Sequence, residues 1–88
     1  MKVLIFYRQN DETHRAVDEF VRDFSKQYPD APLTLIEADS VEGSEQAQIY
    51  DIMQYPTVIA AADDGSTLQR WDSGIMPLMN EVSYYANQ

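Results

Sequence analysis

His14 is the chain's one histidine, and Asp11 stands three residues before it. At the start of a helix this spacing turns a side chain back toward the capping residue. An aspartate–histidine pair placed there can move a proton or hold a ligand. The same two residues also read as a capping aspartate followed by a solvated histidine. No serine, histidine and aspartate stand at a spacing that suggests nucleophilic catalysis. One histidine and one carboxylate are too few for a metal site. Asp63 and Asp64 add carboxylates, but Asp63-Asp64-Gly65 reads first as a tight turn. We therefore expect no catalytic residue, no metal and no cofactor.

Composition narrows the chemistry further. The 88 residues contain no cysteine. Disulfides, thiol catalysis, cysteine-ligated zinc and iron–sulfur clusters are thereby excluded. Six basic side chains face 15 acidic ones, for a net charge of −9. That balance works against nucleic acid or an anionic membrane as a partner, because both require cationic surface. It favours a basic protein or peptide. Hydrophobic residues make up 44% of the chain, enough for a core. The length suits one domain, taken as residues 1–88. The apolar run near Met1 is too short for a secretory leader or a membrane span, so the expected location is cytoplasmic.

Elements able to position Asp11 and His14 follow from the pattern. Val3, Leu4, Ile5, Phe6 and Tyr7 form an unbroken apolar run, the mark of a strand covered on both faces. Ala16, Val17, Phe20, Val21, Phe24 and Tyr28 then recur every three or four residues, which predicts an amphipathic helix. Asn10 or Asp11 is its expected cap and Pro29 its stop. Leu33 to Ala38 reads as a second strand. Asp39, Ser40 and Gly43 read as a loop, and Ser44 as the cap of a short helix with Ala47, Ile49 and Tyr50. Thr57 to Ala61 is a third strand, turned at Asp63-Asp64-Gly65 into Thr67 to Trp71. Pro77 opens a last helix, with Leu78, Met79, Val82 and Tyr85 on one stripe. The order is β-α-β-α-β-β-α. The first unit makes parallel strands, and the hairpin must be antiparallel. A four-stranded mixed sheet with helices on both faces results.

The chain resembles the thioredoxin/glutaredoxin superfamily over nearly its whole length. The resemblance rests on Ala38-Asp39, on Ile49-Tyr50-Asp51-Ile52-Met53-Gln54-Tyr55-Pro56-Thr57-Val58, on Asp64-Gly65, and on Arg70-Trp71 with Gly74. It implies an α/β thioredoxin-like fold with strand order 2-1-3-4 and a cis bond before Pro56. It also implies where a redox motif would stand, between the first strand and the first helix. Here that place holds Asn10, Asp11, Glu12, Thr13 and His14. Disulfide exchange requires an attacking thiolate, so the family's redox activity is not inherited. Thioredoxin-like proteins without the cysteine pair, some of them circadian-clock proteins, serve as binding modules. By that resemblance the chain is a redox-inactive adaptor. In the family, the backbone beside the cis-proline pairs with extended substrate chain. The expected groove is lined by Gln9, Asn10, Asp11, His14, Tyr55, Pro56, Thr57 and Gly74, and takes a protein or peptide. Two other readings stay open: a small-ligand protein or enzyme using Asp11 and His14, or a self-associating structural domain using Trp71, Tyr84 and Tyr85. For Tyr55, a surface role is favoured, since the core needs no aromatic directly before the proline. Trp71 reads first as core, and one of Tyr84 and Tyr85 as exposed.

Overall fold

Alternation along the first strand sets the architecture. In the computed structural model, which describes residues 2–86, β1 spans Lys2–Tyr7 and is the most buried strand beside β3. Val3 and Ile5 point to one face of the sheet, Leu4 and Phe6 to the other, and all four are buried. A strand flanked on both sides must be apolar throughout, which explains the unbroken run. β2 (Thr34–Glu37) pairs parallel with β1, and β3 (Thr57–Ala61) pairs antiparallel with it. β4 (Thr67–Trp71) returns antiparallel on β3, giving the order β2-β1-β3-β4. Element order, strand order and mixed pairing are those expected from the sequence.

Helices cover both faces. α1 (His14–Gln27) buries Val17, Phe20 and Phe24, and α3 (Met79–Ala86) buries Val82 and Ala86, both against Val3, Ile5 and Val58. Phe24 contacts Phe20 at 5.5 Å and Tyr28 at 5.0 Å between ring centroids. α2 (Val41–Ile49) lies on the opposite face, where Ala47 meets Leu4, Phe6, Ile59 and Ala61. Each fully buried valine, isoleucine or phenylalanine contributes about 1.5–3 kcal/mol of transfer free energy. Trp71 packs on the α1–α3 side, edge-on to Tyr85 at 5.7 Å, while Tyr84 stays exposed. Met76 and Met79 also pack against that core.

Three helix starts differ from expectation, and β2 is one residue shorter at each end than the expected Leu33 to Ala38. α1 begins at His14, not near Asn10 or Asp11, and its N-cap is Thr13. α2 begins at Val41 and is capped by Ser40, whose hydroxyl accepts from the Gly43 amide at 2.9 Å, so Ser44 is not the cap. Gly43 sits inside the helix because the Glu37 carbonyl leaves no room for a side chain: a Cβ there would fall 1.8 Å from its oxygen. Leu78 precedes α3 and is exposed, so it is not part of the buried stripe. Its carbonyl instead accepts from the Glu81 and Val82 amides. Among the described residues no helix is long and apolar enough to cross a membrane.

Candidate functional site

The turn between β1 and α1 explains where Asp11 and His14 finish. The Asp11 carboxylate accepts from the Thr13 amide at 3.2 Å, an Asx-type turn before the helix. His14 Nδ1 lies 2.7 Å from the Asp11 main-chain oxygen. A carbonyl oxygen only accepts, so Nδ1 is the donor and the neutral ring keeps its lone pair on Nε2. The expected carboxylate–imidazole pair is therefore not formed; His14 is held by main chain. Gln9, Asn10, Asp11 and His14 line one open recess of about 610 Å³, with Glu12 and Arg15.

Tyr55 belongs to a neighbouring recess of about 460 Å³, with Arg8, Ala47, Ile52 and Met53 among its walls. Its ring is half-buried and packs against the α2-side core, so it serves the core as well as the surface, a correction to its expected role. The Arg8 guanidinium also lies over the ring, 4.9 Å from the centroid. Register dictates this meeting. Phe6 pairs with Thr57 in the antiparallel β1–β3 ladder, so the next residues outward bring Arg8 to Tyr55. Arg8 also reaches Asp39 at 3.5 Å and shares a third recess with Asn10, Asp11 and Glu12. It thus joins the helix start to the Tyr55 loop. Sequence reasoning missed Arg8, although its position just beyond β1 was the available signal.

The Tyr55–Pro56 bond is cis. Pro56 and Thr57 are buried, so they shape the loop rather than face a partner. Thr57 Oγ1 donates to the Gln54 carbonyl at 2.6 Å. Gln54 Nε2 donates to the Asp72 carbonyl at 2.6 Å, and Gly74, at φ 83°, lies against the Gln54 side chain. Gly74 therefore braces the loop from the β4 side and lines neither the Asp11 nor the Tyr55 recess. Arg70 is the second brace. Its Nη1 and Nη2 donate to the Tyr50 and Asp51 carbonyls at 2.5 and 2.7 Å, and its Nε to Asp72 at 2.8 Å. Those carbonyls end α2, where Asp51 adopts φ 53° and the Ile52 and Asp51 amides close back on Ala47 and Gln48. A cation there also meets the negative end of the helix.

The described structure matches thioredoxin 1 of Thermosipho africanus TCF52B with a TM-score of 0.68 at 16% identity, over 99% of this chain and 96% of that one. The mitochondrial thioredoxin 3 of Saccharomyces cerevisiae gives 0.70 at 15%, over 97% and 74%. The chain has the thioredoxin fold. Thioredoxin O2 of Arabidopsis thaliana matches too, at 0.68 and 14% identity over 94% and 69%. No protein-family model and no curated protein matches the sequence. Within the thioredoxin fold, this chain has no cysteine to supply a thiolate, so it performs no disulfide exchange.

Proposed function

We propose that the chain is a redox-inactive binding module that docks a basic protein or peptide over the α1 start and the Tyr55 loop. One observation carries this reading: Arg8, whose guanidinium lies over the Tyr55 ring, borders both the Asn10–Asp11–Glu12 recess and the Tyr55 recess. Gln9, Asn10, Asp11 and His14 supply the polar half of the docking surface, Tyr55 and the exposed Met53 its apolar half. Half-buried tyrosine and exposed methionine are residue types that interfaces favour. Carboxylates of Asp11, Glu12, Asp39 and Asp51 border the surface, and the net charge of −9 attracts a cationic partner at long range. The same charge works against nucleic acid and anionic membrane. The reading needs no catalysis and no cofactor.

The test is amide-shift mapping with a basic protein recovered by affinity capture on this domain. Shifts concentrated at Arg8, Asn10, Asp11, His14 and Tyr55 support the reading. Shifts elsewhere, with these residues unmoved, reject it.

A second reading, a small ligand in the Asp11–His14 recess, has one observation in its favour. The main-chain hydrogen bond to Nδ1 fixes the ring and leaves Nε2 able to accept or coordinate. A small alcohol or amine, able to donate to Nε2, that shifts only Gln9, Asn10, Asp11 and His14 would favour it over protein docking.

A further inference from the structure

β2 is an edge of the sheet, and its outer side is ordered for pairing. The Ala38 amide donates inward to the Tyr7 carbonyl at 2.8 Å. In a parallel ladder alternate residues turn both main-chain groups to the same side. Thr34 and Ile36 therefore face β1, and the main-chain groups of Leu35 and the amide of Glu37 face outward. The Glu37 carbonyl is engaged by Ser40. Among the described residues no strand lies beyond β2. The other edge, β4, is broken by a register shift opposite Ala60 and Ala61, a device that discourages pairing. β2 has no such shift, no lysine and no proline within it.

The surroundings of this edge differ on the two faces of the sheet. Leu35 is level with Ile5 and so lies on the α1 face, where it is 45% exposed. On the α2 face, Glu42, Glu45 and Gln46 line an open recess of about 430 Å³ along the edge with Leu35, Ile36 and Glu37. No basic residue occurs between Lys26 and Arg70, while Asp30, Glu37, Asp39, Glu42, Glu45 and Asp51 all fall in that stretch. Asp39 is paired with Arg8, but no basic side chain lines the recess beside Glu37, Glu42 and Glu45, so the field over the edge is negative. A second copy of this chain would set like charges against one another, which disfavours it as the occupant.

We propose that the β2 edge takes an added strand from a partner whose residues alternate basic and apolar. Its main chain pairs with Leu35 and Glu37. Its lysines or arginines face Glu42 and Glu45, and its apolar residues lie beside Leu35. This surface is distinct from the one around Arg8 and Tyr55.

The probe is an acetylated, amidated peptide, Lys-Val-Arg-Val-Lys-Val, titrated into the intact labelled protein at low ionic strength. The control, Lys-Lys-Arg-Val-Val-Val, has the same composition without alternation. The expected result is saturable binding of the first peptide, at least about fivefold tighter than the control. Amide exchange at Leu35 and Glu37 slows about tenfold or more on binding. A Glu42→Gln/Glu45→Gln variant, checked as folded by circular dichroism, binds about fivefold or more weakly. Equal binding of both peptides overturns the proposal, because charge alone would explain it. So does binding that leaves Leu35 and Glu37 unprotected, or no binding at all. Concentration-dependent protection of Leu35 and Glu37 without peptide overturns it in favour of a second copy. If the variant fails to fold, the exchange result on the unaltered protein decides.

Discussion

The Arg8 guanidinium lies over the Tyr55 ring, 4.9 Å from its centroid, and so ties the exit of β1 to the residue that precedes Pro56. The contact follows from strand register, since both residues sit just beyond the Phe6–Thr57 pair. It places a fixed cation between the helix start and the loop. Arg8 is half exposed, so its pairing with Asp39 contributes little, about 0–1 kcal/mol. Arg8→Ala should therefore cost the domain no more than about 1 kcal/mol in urea denaturation. A loss well above that would make Arg8 a structural residue first.

Gly43→Ala is expected to destabilise the domain by about 1–3 kcal/mol or to displace α2. The new Cβ would meet the Glu37 carbonyl at 1.8 Å, and backbone on both sides leaves little room to give. Gly65→Ala provides the contrast. It has open space around it and a φ of +90°, so its cost is conformational only, about 1 kcal/mol. Denaturant midpoints of the two variants check the ranking, and an unchanged midpoint for Gly43→Ala contradicts the packing of α2 on β2.

Arg70→Met removes three hydrogen bonds that hold the end of α2 and Asp72 together. The expected loss is about 1.5–3 kcal/mol, because the side chain is partly exposed and the three bonds act as a unit. Amide shifts at Tyr50, Asp51, Ile52 and Gln54 should move with it. A variant with wild-type stability and unmoved shifts would show that Gln54 alone braces the loop.

His14 is expected to carry its proton on Nδ1 in the neutral ring, since the Asp11 carbonyl must receive it. Long-range nitrogen–proton correlation spectra distinguish the two tautomers. A spectrum with the proton on Nε2 would mean that the Asp11–His14 turn is open in solution.

Much of this was legible in the residues, and the failures have local causes. β1, the α1 stripe and the hairpin were readable because one period dominates each. The α1 start was misplaced because Asp11 caps a turn before the helix rather than the helix itself. The α2 start was misplaced because Ser40 and Ser44 are both competent caps and Gly43 suggests a loop. Only the nearby Glu37 carbonyl explains a helical glycine there, and that contact spans two elements. For the site, Asp11 and His14 line one recess, whereas Gly74 belongs to the brace under Gln54 and Thr57 is interior. Arg8 escaped notice because its importance comes from β1–β3 register, which no single segment displays.

Asp64 is expected to titrate below the usual aspartate range. The Ser66 amide and then its hydroxyl donate to the carboxylate at 3.0 and 2.7 Å, which favours the charged form. A depressed folded value means that the turn gains stability above the unfolded carboxylate's pKa. That gain is lost as the pH falls through the folded value. Carboxyl-carbon shifts across an acid titration measure it, and a midpoint at or above the ordinary aspartate value contradicts the Asp64–Ser66 bonds.

The central claim is that one continuous surface, from Asp11 and His14 across Arg8 to Tyr55, binds a basic protein. Calorimetric affinity of a captured basic partner for wild type and for Asp11→Lys/His14→Ala/Tyr55→Ala, with the variant verified as folded, tests it most directly. The account predicts at least about a tenfold weakening, equivalent to about 1.4 kcal/mol. Equal affinity for the two proteins would contradict it.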